Sequence, residues 1–315
     1  MKKILITGGC GFVGRELVSR AQNQFEVHVA DNLLSGDYRL NKMDTQGFSF
    51  HNIDLRDKDK TESLIKGINP DIIIHLAAIH FIPQCENEPD LACTTNILST
   101  INILNCINQN TKFIFTSSAA VYSPSNNKLE EDNSKIAPVD VYGHTKLHGE
   151  DYVNLYTKRN ALDTCIVRLF NVIGPGETNP HILPEIFSQL KNGKVELNLG
   201  NIESKRDFID VRDVASGFLR LCDKDFSKLS NSRVINLGSG TTYSMRELLD
   251  FAKEICCIDF SIKQDPSKFR KVDNPVILAS TEKLEQDLGW KPEFSIKDTL
   301  KLTWDDDEIL PFLEH

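Results

Sequence analysis

The sequence predicts an α/β fold built on a doubly wound parallel sheet, with a smaller, interleaved C-terminal domain. Three observations carry this. Short apolar runs recur through the chain: Ile4-Leu5-Ile6, Val27-His28-Val29, Phe48-Ser49-Phe50, Ile72-Ile73-Ile74, Phe113-Ile114-Phe115 and Ile166-Val167-Arg168. They are largely continuous, as strands covered on both faces must be. Helical periods separate them, which is the pattern of parallel strands joined by crossovers. The first run leads directly into a glycine-rich turn, Thr7-Gly8-Gly9-Cys10-Gly11-Phe12-Val13-Gly14.

Taken in order, Met1-Lys2-Lys3 and the apolar residues after it imitate a secretory leader only briefly. Thr7-Gly8-Gly9 cuts the run and no small-residue cleavage site follows, so it reads as the first strand. Residues 88–109 and 141–158 read as long helices. The first carries Leu91, Thr95, Leu98, Ile101 and Leu104 on one side and Ile97, Ile103 and Ile107 on others, so it needs cover on two faces. The sheet supplies one; the same helix in a second subunit is the expected other, giving a homodimer through 88–109 and 141–158. After about residue 171, prolines at 175, 180, 184, 266, 275 and 292 punctuate shorter elements. Residues 260–263 and 275–281 read as minor strands, and Val234-Ile235-Asn236-Leu237 as a returning core strand. The expected division is 1–171, with 207–240 returning to it, and 172–312; residues 313–315 read as a tag remnant.

Composition excludes several classes. With 40% hydrophobic and 26% charged residues in 315, the chain is that of a soluble globular protein. Acids outnumber Lys plus Arg by 45 to 36, a net charge of −9, which argues against nucleic acid as a partner. No uncharged apolar stretch reaches ~18 residues, so no membrane span is expected. The eight cysteines show neither CxxC nor Cys/His ligand spacing. No metal site is expected; they read as reduced thiols of a cytoplasmic protein, with Cys256-Cys257 as core filling.

The glycine-rich turn satisfies GxGxxG through Gly9, Gly11 and Gly14, and GxxGxxG through Gly8, Gly11 and Gly14. Such glycines permit a tight turn and bring a helix N-terminus onto a pyrophosphate. Asp31 ends the second strand 17 residues after Gly14, where a carboxylate can accept both ribose hydroxyls of NAD and repel the 2′-phosphate of NADP. Asp54-Leu55 and Leu76-Ala77-Ala78 close later strands on the same ligand-binding rim.

Thr116-Ser117-Ser118 leaves the fifth strand, and Tyr142-Gly143-His144-Thr145-Lys146 opens a helix. Tyr142 and Lys146 are four apart, so both side chains leave one helix face a turn apart. A tyrosine ordinarily titrates near ~10; making it a base at neutrality asks for roughly 4 kcal/mol of anion stabilisation. A nearby ammonium and a positive nicotinamide ring can together supply that, with Ser118 bonding the reacting oxygen.

With RLFNVIGPG (168–176), KRDFIDVRDV (205–214), NLGSG (236–240) and LGWKP (288–292), these motifs resemble the extended short-chain dehydrogenase/reductase family, in its nucleotide-sugar epimerase and dehydratase branch. The resemblance covers residues 1 to about 304. It implies a Rossmann domain holding NAD through Gly8, Gly11, Phe12, Val13, Gly14, Asp31, Asn32, Asp54, Leu55, Leu76, Ala77, Ala78, Asn96, Tyr142 and Lys146, and a C-terminal domain for a nucleotide-diphosphate sugar. Tyr142 would be the general base and acid, Lys146 would bind the nicotinamide ribose, and Ser118 would orient the sugar. Asn171, Arg206 and Arg270 fall where the family contacts the diphosphate and nucleotide, and a guanidinium suits phosphate because it can fork onto two oxygens. His181 falls where the 4-epimerases of the family hold a phosphate-contacting Asn, which a His can replace. From their places in the chain, His80, after the fourth-strand motif, can face the sugar and His144 is expected to point away, with a merely structural role the alternative for both.

Departures within the branch narrow the activity. The 4,6-dehydratases carry Asp-Glu after the catalytic Ser or Thr, where this chain has Ala119-Ala120, and neither alanine can move a proton. The epimerase-reductases that make GDP-fucose pair a Cys at position 120 with a His at position 181; here only the His is present. The expected activity is NAD-dependent C4 epimerisation of a nucleotide-linked sugar, a UDP-hexose, through a 4-keto intermediate. The alternative is an NAD(P)H-dependent 4-ketoreductase of a 4-keto-6-deoxy sugar, and a third reading is a catalytically silent NAD sensor or scaffold. The sugar itself is not encoded in any motif.

Overall fold

A computed structural model describes residues 1–34, 43, 45–177, 181–265 and 274–306. Arg270 and the residues read as a tag remnant lie outside them. Seven strands form one parallel sheet: β1 (Lys3–Thr7), β2 (Glu26–Asp31), β3 (Phe48–Asn52), β4 (Ile72–His75), β5 (Lys112–Ser118), β6 (Asp163–Leu169) and, after three strands placed elsewhere, β10 (Val234–Leu237). Their order is β10-β6-β5-β4-β1-β2-β3, so the chain reverses its direction of winding between β1 and β4. In such sheets the crevice at that reversal is where ligands bind. All seven predicted core strands are in this sheet.

The apolar runs bury both faces by simple alternation. Ile4, Ile6, Val27, Val29, Ile72, Ile74, Ile114, Val167 and Ile235 face α1 (Phe12–Ala21) and, further along the chain, α8 (Val211–Cys222). Leu5, Ala30, Ile73, Phe113, Phe115 and Ile166 face α2 (Lys58–Ile68), α5 (Ser99–Leu104) and α6 (Val141–Asn160). Within this layer His75 is fully enclosed between Thr7 (2.6 Å) and Thr100 (3.0 Å), and burial lowers its pKa to about 3, so it stays neutral.

The predicted helix 88–109 is shorter and broken. After α3 (Ile82–Asn87) it consists of α4 (Pro89–Cys93), a π-helical turn at Thr94–Leu98, and α5, and it stops at Leu104. The hydroxyls of Thr94, Ser99 and Thr100 bond back to the carbonyls of Asp90, Thr95 and Asn96, and such bonds loosen the helical ladder. The second helix, 141–158, is α6. These helices pack on each other within the chain, which already covers much of the apolar surface assigned to a dimer contact; Leu98 and Leu155 stay exposed at 39% and 43%.

The rest of the chain forms a second lobe. β7 (Asn171–Ile173), β9 (Lys205–Asp210), β11 (Thr242–Ser244) and β13 (Val276–Ile277) form one small sheet, and β8 (Glu196–Leu199) pairs with β12 (Ser261–Gln264). α7 (Ile182–Lys191), α9 (Met245–Cys256) and α11 (Ile296–Asp305) pack over them, while α10 (Glu282–Leu288) lies beside β10. Buried Asp207 explains two motifs together: its carboxylate accepts the N–H groups of Ser239, Gly240 and Ala279, so KRDF and NLGSG meet there. One reading is corrected. Cys257 is the exposed, left-handed residue ending α9 and Cys256 is only half-buried, because a helix C-terminus turns its last residues outward.

Candidate active site

One cavity of about 810 Å³ runs along the C-terminal edge of the large sheet and under the second lobe. At its first end, Gly8 adopts φ +69° at the sheet reversal, and a Cβ there would come 2.7 Å from the Ala77 nitrogen. Gly11 precedes α1 and has no side chain to cap it, so the first turn of α1 meets the cavity with backbone N–H groups. At Gly14 a Cβ would stand 2.6 Å from the Gly9 Cα. Asp31 lies beside this loop, its two oxygens accepting from Cys10 N (3.0 Å) and Leu33 N (2.9 Å). Phe12, Val13, Asn32, Leu55, Leu76, Ala77 and Ala78 also line this end. Asp54 does too, but its carboxylate is forked by Arg56, and those bonds hold it below the usual carboxylate pKa.

Asn96 is different. It is buried, with its amide bonded to Ile79 N, Ile79 O and Thr145 Oγ1, and it is not among the cavity-lining residues. It joins the loop after β4 to α6, so the structure places it behind the cavity wall.

In the middle of the cavity, Ser118, Tyr142 and Lys146 converge. The Ser118 hydroxyl lies near enough to the Tyr142 phenol to favour its anion. Lys146 Nζ donates to Thr116 O at 2.8 Å while standing 5.9 Å from the Tyr142 ring centre. Tyr142 is enclosed by protein except toward the cavity. Burial pushes its phenol above the ordinary value despite the opposing influence of Ser118, and burial lowers Lys146 to about 8. These residues by themselves therefore leave Tyr142 protonated at neutral pH. The expected low phenol pKa needs a further positive charge, which the oxidised nicotinamide ring carries. Lys146 retains N–H groups beyond its one bond to Thr116 O, and the buried Thr116 Oγ1 lacks a protein partner at the cavity wall. The cradle, Asp31 and these donors fit a dinucleotide.

The far end is lined by His80, Asn171, His181 and Arg206. The rings of His80 and His181 stack at 5.8 Å, with Phe81 edge-on to His181 at 5.9 Å. Arg206 donates to Asn274 O at 2.6 Å. Sequence reasoning missed Glu177, which faces this end 3.6 Å from His181 and whose pKa burial raises well above the ordinary value. Its spacing of four from His181 was the available signal. His144 is exposed and does not line the cavity. Among the described residues no group of His, Cys, Asp and Glu could hold a metal ion, and no helix is long and apolar enough to cross a membrane.

The family model described as the NAD dependent epimerase/dehydratase family matches residues 4–238. The UDP-glucose 4-epimerase of Lactobacillus helveticus is 28% identical over 326 residues, covering 96% of each chain. The GDP-6-deoxy-D-talose 4-dehydrogenase of Aggregatibacter actinomycetemcomitans is 30% identical over 293 residues, covering 91% of each. Among solved structures, UDP-glucose 4-epimerase of Thermus thermophilus in complex with NAD superposes with a TM-score of 0.84 at 28% identity, over 96% of this chain and 98% of that one.

Proposed function

Because this chain belongs to the NAD-dependent epimerase/dehydratase family, with NAD as its cofactor, we propose that it epimerises C4 of a nucleotide-diphosphate sugar, a UDP-hexose. The observation that carries this reading is the convergence of Ser118, Tyr142 and Lys146 in the same cavity as the glycine cradle, beside an Ala119-Ala120 pair without proton-transfer groups. When bound, NAD supplies a hydride acceptor and a positive charge. Tyr142 takes the 4-hydroxyl proton as C4 is oxidised, and returns it once the 4-keto sugar has turned over and is reduced on its other face. Ser118 holds the reacting oxygen, and Lys146 stabilises the phenolate and reaches the nicotinamide ribose. Asp31 takes the adenosine ribose hydroxyls. Asn171, Arg206 and Arg270 bind the diphosphate and nucleotide, with His181 and His80 beside the sugar. Holding the substrate mainly by its nucleotide end leaves the hexose free to rotate.

The test is NMR of the purified protein with UDP-, GDP-, CDP- and dTDP-hexoses and no added cofactor. A new C4-epimer signal is expected from a UDP-hexose; none from any sugar overturns the reading. The dehydrogenase relative keeps a second reading open, a 4-ketoreductase of a 4-keto-6-deoxy sugar with His181 at the substrate. Stoichiometric oxidation of NADH or NADPH on adding such a sugar would identify it. Asp31 weighs against NADPH.

The same reading includes a homodimer. Exposed Leu98 and Leu155 on adjoining helices support it, and light scattering at micromolar concentration is expected to give about twice 35.6 kDa. A cytoplasmic location agrees with eight cysteines that are all free.

A further inference from the structure

The residues that carry the reaction are held by a buried ionic lattice that the mechanism itself does not use. Tyr142, Lys146 and Glu150 follow one another at intervals of four along α6. Each faces a different one of the last three residues of β5: the Tyr142 phenol lies by the Ser118 hydroxyl, Lys146 donates to Thr116 O, and Glu150 accepts from the Ser117 hydroxyl at 2.5 Å. Arg168 on β6 then forks onto Glu150, Nε to Oε1 at 2.9 Å and the terminal nitrogen to Oε2 at 2.7 Å. Its remaining nitrogen donates to the Tyr122 hydroxyl at 3.0 Å and to Glu131 O at 3.1 Å, and the guanidinium lies 4.8 Å from the Tyr122 ring centre. The Tyr122 hydroxyl in turn donates to Asn236 on β10 at 2.7 Å.

Ser118 begins a short arch, Ala119–Val121, that ends at Tyr122. Arg168 therefore grips both feet of this arch, one through Glu150 and Ser117 and the other through Tyr122. The arch is also pressed on α6, because a Cβ at Gly143 would come 2.5 Å from Ala120 O. Arg168 and Glu150 are 5% and 3% exposed. Burying such a pair brings little or no net stability, since desolvation offsets the attraction, so stability alone gives poor reason for it.

We propose that the Arg168–Glu150 pair and Tyr122 are positioning residues that set the Ser118 hydroxyl against the Tyr142 phenol. A small displacement between reacting groups can cost a large factor in rate while leaving binding intact. The inference rests on the C4 epimerase reading only for its kinetic readout.

Two variants test it, Tyr122→Phe and the paired replacement Glu150→Leu with Arg168→Met, which removes both charges together. Each is measured for folding by thermal melting, for bound NAD, for kcat and KM, and for titration of the Tyr142 phenol, taken as the absorbance difference from the same protein carrying Tyr142→Phe. Both are expected to retain NAD and to melt as single transitions. Their kcat should fall at least tenfold for the paired variant and about threefold for Tyr122→Phe. KM should stay within threefold and the phenol midpoint should rise. A folded variant with kcat and phenol midpoint both unchanged overturns the proposal, as does a loss of turnover that only follows the loss of folded protein. If wild type epimerises no sugar, the epimerase reading fails, and the phenol midpoint alone decides the positioning role. Should the paired variant not fold, Tyr122→Phe, which deletes one hydroxyl, decides.

Discussion

Tyr142→Phe is expected to lower turnover of the nucleotide sugar at least ~100-fold while leaving bound NAD and substrate affinity near wild type, because a positioned acid/base group contributes about that much. The phenyl ring keeps its place beside Lys146 and loses only the hydroxyl near Ser118. Retention of a tenth or more of wild-type turnover would show that another group moves the proton, and Glu177 with His181 would be the next pair to test. The pH profile makes the same point with a sign. Burial alone raises the Tyr142 phenol, so the active phenolate is gained as pH rises, and every nearby cation moves that limb to lower pH. Lys146→Met removes one such cation and should shift the limb to higher pH as well as lower its plateau. Burial lowers Lys146 itself to about 8, so it loses its charge above that value, and the wild-type profile should fall again there and be bell-shaped.

Gly14→Ala is expected to abolish NAD retention, with affinity at least ~100-fold weaker, since overpacking a rigid backbone contact forces the chain to move. The added methyl would meet the Gly9 Cα at 2.6 Å and the Gly8 carbonyl. Neither can yield easily: Gly8 sits at φ +69° against Ala77, and its carbonyl also accepts the Gly11 N–H at 3.1 Å. The measurement is the NAD content of the purified protein, together with titration by calorimetry. Gly67→Ala is the control, because a Cβ on this α2 residue meets nothing within 4 Å and should stabilise by roughly 0.5–1 kcal/mol. An alanine at 14 that binds NAD within threefold of wild type would remove the cradle from the account of cofactor binding.

Much of the cofactor half was legible because its signals are local. A continuous apolar run states that both faces of a strand are covered, whichever helices cover them, and this located all seven strands of the sheet. The glycines of 8–14 and the four-residue step from Tyr142 to Lys146 likewise state backbone and helix geometry without reference to distant residues. The helix expected at 88–109 failed for a related reason. Its apolar period was real, but three hydroxyl back-bonds opened a π turn, and Asn96, read as a cofactor contact, turned inward to brace the loop after β4.

The sequence by itself determined the parallel sheet, the glycine turn that opens α1, and the one-face step from Tyr142 to Lys146, since each is written in residues whose spacing is their geometry. Only the tertiary structure decided the rest. Glu177 faces His181 at the cavity's far end, Arg168 on β6 reaches Glu150 and Tyr122, and Asp207 on β9 ties the turn at 239–240 to Ala279. These are charges whose meaning depends on what encloses them. A carboxylate or guanidinium reads as solvated surface in one dimension, and becomes a clamp or a group of shifted pKa only once burial strips its water and sets chosen partners within reach.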